Sequence, residues 1–201
     1  MEKNKIIGIS IDGIIRDNIT QIAKIYREET GNKPNLPLKD YNLIEMFPFD
    51  SMDQLNEFLY ITCPLETAGH AKEINLSSMN DVNILCDKSR KQNCKIKIIS
   101  KELGKSKSAT LFFLSKIVCQ VDEIIFVTSE EDKWNHCDIL LDVNPLTLKS
   151  KPDGKTSIKL ETEYNEDITS DYTIKSVKEL LDEKFLEEVI NHEFVSYEEI
   201  K

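Results

Sequence analysis

The sequence predicts an α/β fold: a parallel sheet flanked by helices, with a small helical insertion. Three observations predict it. Residues 6–11, 95–100, 123–128 and 138–142 are short runs rich in Ile, Leu or Val, the pattern of strands buried on both faces. Helix-length sequence lies between successive runs, which favours parallel pairing through helical crossovers over a meander. The first two runs are separated by residues 12–94, far more chain than one crossover helix requires.

Each element follows in order. Residues 18–30 carry Ile19, Ile22, Ala23 and Tyr26 at one-face helical spacing, and Gly31 is a suitable stop. The next stretch contains Pro34, Pro37, Pro48 and Pro64 beside the aromatic-rich Met46-Phe47-Pro48-Phe49 and Phe58-Leu59-Tyr60. It is expected to form a helical cap over residues 32–76, with residues 1–31 and 77–201 making the α/β core. Ser78-Met79-Asn80-Asp81 can cap a helix whose inner face holds Val82, Leu85 and Cys86. Residues 106–118 predict another, with Leu111, Leu114, Ser115 and Val118 at suitable intervals. Turns follow at Asn144-Pro145 and Lys151-Pro152-Asp153-Gly154. Residues 156–162 alternate enough for an added strand at or near an edge. The tail, residues 173–194, reads as one amphipathic helix with Ile174, Val177, Leu180, Leu181, Phe185, Leu186, Val189 and Ile190 on its apolar face.

Of 201 residues, 40% are hydrophobic and 31% charged, ordinary for a soluble globular protein. The formal charge of −10 argues against a grip on nucleic acid, which needs clustered Lys and Arg to displace counterions, and suits a basic protein partner instead. No apolar run reaches the roughly 18–20 residues that span a bilayer, and Met1-Glu2-Lys3-Asn4-Lys5 leads into the first strand without a signal-peptide pattern. A cytoplasmic place without membrane contact is expected. Cys63, Cys86, Cys94, Cys119 and Cys137 form no Cys-x-x-Cys pair and read as reduced, mostly buried small hydrophobes. His70, His136 and His192 are too dispersed to suggest a metal cluster.

Polar residues gather at the carboxyl ends of the expected strands, where ligands collect in open α/β sheets. Ser10 and Asp12 follow the first strand, Ser100 ends the second, Asp142 ends the fourth, and Lys133 lies just before that last strand. Together they outline a rim suited to a phosphate and a cation.

The stretch Lys5-Ile6-Ile7-Gly8-Ile9-Ser10-Ile11-Asp12-Gly13-Ile14-Ile15-Arg16-Asp17 resembles the first motif of the haloacid dehalogenase (HAD) superfamily, whose pattern is apolar residues followed by Asp-x-Asp-Gly-(Thr/Val). Ile98-Ile99-Ser100 resembles the second motif, Lys133 the third-motif lysine, and Ile139-Leu140-Leu141-Asp142-Val143-Asn144-Pro145 the fourth motif, usually a paired Asp-Asp that holds magnesium. The resemblance runs from about residue 5 to residue 165 and implies a Rossmann-like sheet. Gly154-Lys155-Thr156-Ser157-Ile158-Lys159 and Tyr164-Asn165 add a resemblance to deoxyribonucleotidase-like members, relatives frequent in phage genomes. The Lys-, Asn- and Ile-rich composition is compatible with a phage origin.

In active members the first aspartate attacks phosphorus and ligates magnesium, and the second protonates the leaving group. Here Ser10 stands at the nucleophile position and Val143 at the second acid of the metal motif. A serine hydroxyl near its free pKa is a poor nucleophile without an adjacent base, and it brings no negative charge to a hard cation. Losing a key nucleophile costs about 10⁶ in turnover in other hydrolases, while phosphate monoester hydrolysis needs acceleration of up to roughly 10²¹. The resemblance therefore implies vestigial catalytic positions at Ser10, Asp12, Ser100 and Lys133, with no cofactor. The expected role is a catalytically inactive structural or interaction module with protein partners, including copies of itself. A phage virion component of neck, tail or capsid is one such setting. The alternative is a magnesium-dependent phosphatase or 5′-nucleotidase acting on a small phosphate ester, with Asp12 and Asp142 as metal ligands and Asp12 or Asp17 attacking through a shifted register. A third reading is a phosphate or nucleotide sensor that binds without turnover.

Each residue also has a structural role open to it. Asp12 can cap a turn, Lys133 and Asp142 can form an ion pair in place of the metal, Ser100 can bond local backbone, and Trp134 can anchor packing.

Overall fold

A computed structural model of the chain describes residues 4–37 and 41–192. Its centre is a six-stranded sheet in the order β3-β2-β1-β4-β5-β6, formed by β1 (Lys5–Ile9), β2 (Cys94–Lys101), β3 (Glu123–Val127), β4 (Ile139–Asp142), β5 (Thr156–Leu160) and β6 (Tyr172–Ile174). Every neighbouring pair is parallel. Ile9 lies opposite Ile98 of β2 and Leu141 of β4, so the three central strands end side by side. That register brings Ser10, Ser100 and Asp142 to one rim.

Helices α4 (Ser78–Lys91), α5 (Ser106–Lys116), α6 (Pro145–Lys149) and α7 (Glu183–Ile190) complete the α/β part. The main apolar cluster joins Ile7, Ile9, Ile96, Ile98 and Leu141 of the sheet to Val82, Leu85 and Cys86 of α4 and to Leu186, Val189 and Ile190 of α7. Packing is close at Gly8, where a Cβ would stand 2.6 Å from Ile99 Cδ1 and 3.0 Å from Cys137 Cβ.

A second cluster lies between β1 and α4. Helix α1 (Asn18–Thr30) contributes Ile22, Ala23, Ile25 and Tyr26, and the insertion contributes Met46, Phe47, Leu55, Phe58 and Leu59. Tyr26 meets Phe47 at a ring-centroid distance of 5.5 Å and Phe58 edge-on at 6.4 Å. Helix α1 thus shares its core with the insertion. Beyond α2 (Leu43–Met46) and α3 (Met52–Glu57), two π-helical turns, Phe58–Thr62 and Leu65–Gly69, flank Pro64. Each is closed by an i→i+5 bond, Cys63 N–H to Phe58 O at 2.9 Å and His70 N–H to Leu65 O at 2.8 Å.

Several expectations are corrected. The tail is not one helix: its start is β6, paired to β5 with Ile174 opposite Leu160, followed by a 3₁₀ turn (Val177–Leu181) and then α7. Ser176 forms a capping box with Glu179, and Asp182, in extended backbone, accepts from the N–H groups of Lys184 and Phe185. These two caps cut the amphipathic run into pieces. Its last residues, from 193 onward, lie outside the described residues. Helix α5 also buries a different face, Ala109, Thr110, Phe113 and Leu114, while Leu111, Ser115 and Val118 face solvent. Strand β3 is an edge strand and only half buried, whereas β5 lies inside the sheet with β6 outside it. Ser78 sits in the first turn of α4, with Ser77 at the cap.

Candidate functional site

The chain leaves β1 through Ser10 and turns sharply. Gly13, at φ +76°, donates its N–H to Arg16 O at 2.9 Å, and the Arg16 N–H returns to Ile11 O at 2.9 Å. A Cβ on Gly13 would stand 2.7 Å from Val143 Cγ2 and 3.2 Å from the Tyr164 hydroxyl, so both the backbone sign and the space call for glycine. Asp17 then caps α1 by accepting from the Thr20 N–H. The turn places Asp12 and Arg16 over the ends of the central strands.

The first polar cluster centres on Lys133, in a 3₁₀ turn (Glu131–His136) anchored by buried Trp134, whose indole N–H donates to Thr147 O at 2.9 Å. Lys133 is 5% exposed. Its ammonium donates to Ser10 Oγ at 3.0 Å and to Asp142 Oδ2 at 3.0 Å, and it pairs with Glu130 Oε2 at 2.6 Å. Ser10 Oγ in turn donates to Asp142 Oδ2. The other oxygen of Asp142 accepts the backbone N–H groups of Val143 at 2.7 Å and Asn144 at 2.8 Å. Burial opposes the Lys133 charge, but attraction to Asp142 and Glu130 outweighs it and holds the ammonium above the ordinary lysine value.

The second cluster centres on Arg16, 3% exposed. Its Nε pairs with Asp12 Oδ1 at 2.5 Å, and its terminal nitrogens donate to Thr110 Oγ1 at 2.7 Å and Glu102 Oε1 at 3.1 Å. Ser100 and Thr110 donate to that same Glu102 oxygen at 3.1 Å and 2.5 Å. The guanidinium also lies over the Phe113 ring at 5.7 Å. Burial is again the largest influence and works against the charge, yet Asp12 and Glu102 hold the guanidinium above its usual range.

A cavity of about 230 Å³ opens in front of both clusters. Asp12, Ser100, Lys133 and Asp142 stand on its wall, and Tyr41 and Tyr60 of the insertion on its other side. Ser10 is not among its lining residues; it sits behind Lys133 and Asp142. The five rim residues read from sequence therefore divide into two groups. Ser10, Lys133 and Asp142 come together, while Asp12 and Ser100 belong to the Arg16 network. Ser100 bonds a carboxylate rather than local backbone. Sequence reasoning missed Arg16, Glu102, Glu130 and Thr110. Local spacing offered a signal for two of them, since Arg16 lies four residues beyond Asp12 and Glu130 three before Lys133.

This arrangement does not fit magnesium. A hard dication takes carboxylate oxygens in near-octahedral geometry, yet both oxygens of Asp142 are engaged by donors and Ser10 is neutral. Val143 belongs to the main apolar cluster. Among the described residues no group of three or more His, Cys, Asp or Glu side chains is placed to hold a metal ion. No helix among them is long and apolar enough to cross a membrane.

No protein-family model matches the chain, and no curated protein matches it in sequence. Solved structures do match in shape. One is a HAD hydrolase, family IA, variant 3, from Entamoeba histolytica, at a TM-score of 0.55 and 14% identity, covering 94% of this chain and 100% of that one. Another is L-2-haloacid dehalogenase from Xanthobacter autotrophicus with chloropropionic acid covalently bound, at 0.54 and 9% identity, covering 89% and 97%. A dehalogenase with an intermediate complex gives 0.53 and 9% identity, covering 90% and 96%. Element order, parallel sheet and these matches together establish that the chain has the HAD-like fold.

Proposed function

We propose that this protein is a HAD-like fold that has given up phosphoryl transfer and acts by binding. The observation that carries the reading is the state of Ser10. At the position of the attacking carboxylate stands a neutral hydroxyl, bonded to Asp142 and Lys133 and set behind the cavity wall. Asp12, the residue a shifted register would use as nucleophile, is paired with Arg16 at 2.5 Å. Nucleophilic catalysis needs an oxygen that is both activated and within reach of substrate, and neither residue meets both conditions. On this reading residues 32–76, joined by α1, form a roof over a ligand cavity. The acidic exterior serves protein partners in an assembly, a phage particle being one setting.

The test is phosphate release from p-nitrophenyl phosphate and deoxynucleoside monophosphates with Mg²⁺. The expected result is no release above buffer. Steady release that disappears in Asp12→Asn would overturn the reading and restore the second one, a magnesium-dependent phosphatase. That alternative draws on the retained rim of Asp12, Ser100, Lys133 and Asp142, and on solved structures of similar shape described as a hydrolase and dehalogenases.

A further inference from the structure

We propose that the cavity under the insertion receives a small organic cation, an ammonium or guanidinium on a short apolar body, rather than a phosphate ester. The inference rests on the reading of a site that binds without phosphoryl transfer and names what it binds.

The two buried donors beside the strand ends, Lys133 and Ser100, are already used. Lys133 has three N–H groups and three acceptors, Ser10, Asp142 and Glu130. Ser100 Oγ donates to Glu102, and three of the five N–H groups of Arg16 go to Asp12, Thr110 and Glu102. Beside them three acceptor oxygens remain unused, with the Lys101 ammonium also on the wall. Asp12 Oδ2, Glu102 Oε2 and Glu130 Oε1 receive no hydrogen bond from the described residues, whereas the other oxygen of each is bonded. Glu102 is only 2% exposed, so its second oxygen has the cavity as its outlet. A carboxylate oxygen that opens on a cavity without a protein donor can accept from a ligand N–H group.

The charge balance points the same way. The wall carries four carboxylates, Asp12, Glu102, Glu130 and Asp142, against three cations, Arg16, Lys101 and Lys133. A phosphate dianion entering there adds to the excess, while an ammonium offsets it. Two tyrosines of the insertion sense this field. Burial, then Asp12, raises the Tyr41 phenol; burial, then Asp12, Glu102 and Glu130, raises that of Tyr60. Both rings stay neutral and can present a π-face to a cation. The rest of the wall is apolar, with Leu43, Leu59, Met52 and Leu146, the last two half exposed. The cavity is smaller than the roughly 300–1,000 Å³ of drug-sized sites, which limits the ligand to a small metabolite.

Calorimetric titration of the full chain separates the possibilities with three probes: 2-phenylethylamine, its neutral isostere 2-phenylethanol, and inorganic phosphate. The amine is expected to bind at least about tenfold more tightly than the alcohol, a gap of about 1.4 kcal/mol, with no heat from phosphate. Asp12→Asn, whose side chain is 32% exposed, is expected to weaken the amine about tenfold with an unchanged circular dichroism spectrum. Should that variant misfold, Leu43→Trp, which fills the cavity from its half-buried rim, is expected to abolish amine binding. Binding of phosphate in preference to the amine, equal binding of amine and alcohol, or no binding of any probe would overturn the inference and leave the silent-site reading standing. Phosphate release from p-nitrophenyl phosphate in the same samples would overturn that reading, and this inference with it.

Discussion

Lys133 and Arg16 are both buried cations, each set between two carboxylates at the carboxyl ends of neighbouring strands. The Lys133 ammonium has every donor met, and only Glu130 beside it keeps an oxygen without a described donor. Three donors face three acceptors, one of them the neutral Ser10, and both oxygens of Asp142 are engaged. Around Arg16 the balance is left open, for Asp12 and Glu102 each keep an oxygen without a described donor beside the cavity. On the proposed reading, the difference teaches how a phosphate site can lose its chemistry while keeping most of its charged residues. When acid and base groups satisfy one another they become structure, and only the group with unspent valences remains available to a ligand.

The largest expected effect comes from removing the cations. Lys133→Met strands Asp142, 1% exposed, and Glu130 without their counter-charge, and is expected to cost about 3–5 kcal/mol as a fall in urea midpoint. Arg16→Met strands Glu102 and Asp12, but water reaches Asp12, so its cost is expected near the lower end of that range, about 3 kcal/mol. A larger loss for Arg16→Met would break the comparison. Next, Gly13→Ala is expected to cost about 1–3 kcal/mol, because it combines a positive φ with contact on Val143. Ser10→Ala removes a hydroxyl that serves both Lys133 and Asp142, and a loss of about 1–2 kcal/mol is expected from the unmet buried groups.

The smallest effect is a pH dependence on the Lys133 side. The Cys137 thiol donates to Lys133 O, and burial pushes its pKa up to about 12. An unfolded thiol ionises near about 8.5, so above that pH the unfolded chain releases a proton that the folded chain keeps. The contribution is fully present below about pH 8.5 and is lost as pH rises toward 12. At pH 9 a Cys137→Ala variant is expected to show a shallower alkaline decline than the parent, by under about 1 kcal/mol. Urea midpoints between pH 7 and 10 measure it; a parallel decline would remove the thiol from the account.

The sheet and the rim were legible because a parallel α/β sheet marks itself with apolar runs, and polar residues at their carboxyl ends stand out. Ser10, Asp12, Ser100 and Asp142 stand out on that basis, whereas Lys133 lies before β4 and was marked by its resemblance to the third-motif lysine. Glu102 was not, because its meaning depends on Arg16 reaching it from 86 positions away. The same guanidinium explains the misread face of α5. Thr110 and Phe113 turn inward to receive it, while the apolar Leu111 is left outside. In the tail, Ile174, Val177 and Leu180 serve a helix-like spacing and a strand-plus-turn equally well, and the deciding partner, β5, is remote in sequence.

The proposed reading holds that neither Ser10 nor Asp12 attacks phosphorus, and one measurement addresses it most directly. The full chain is incubated with acetyl phosphate and Mg²⁺, quenched in acid, and its intact mass recorded. The account predicts the mass of the unmodified chain; a phosphoryl adduct that maps to Ser10 or Asp12 would contradict it.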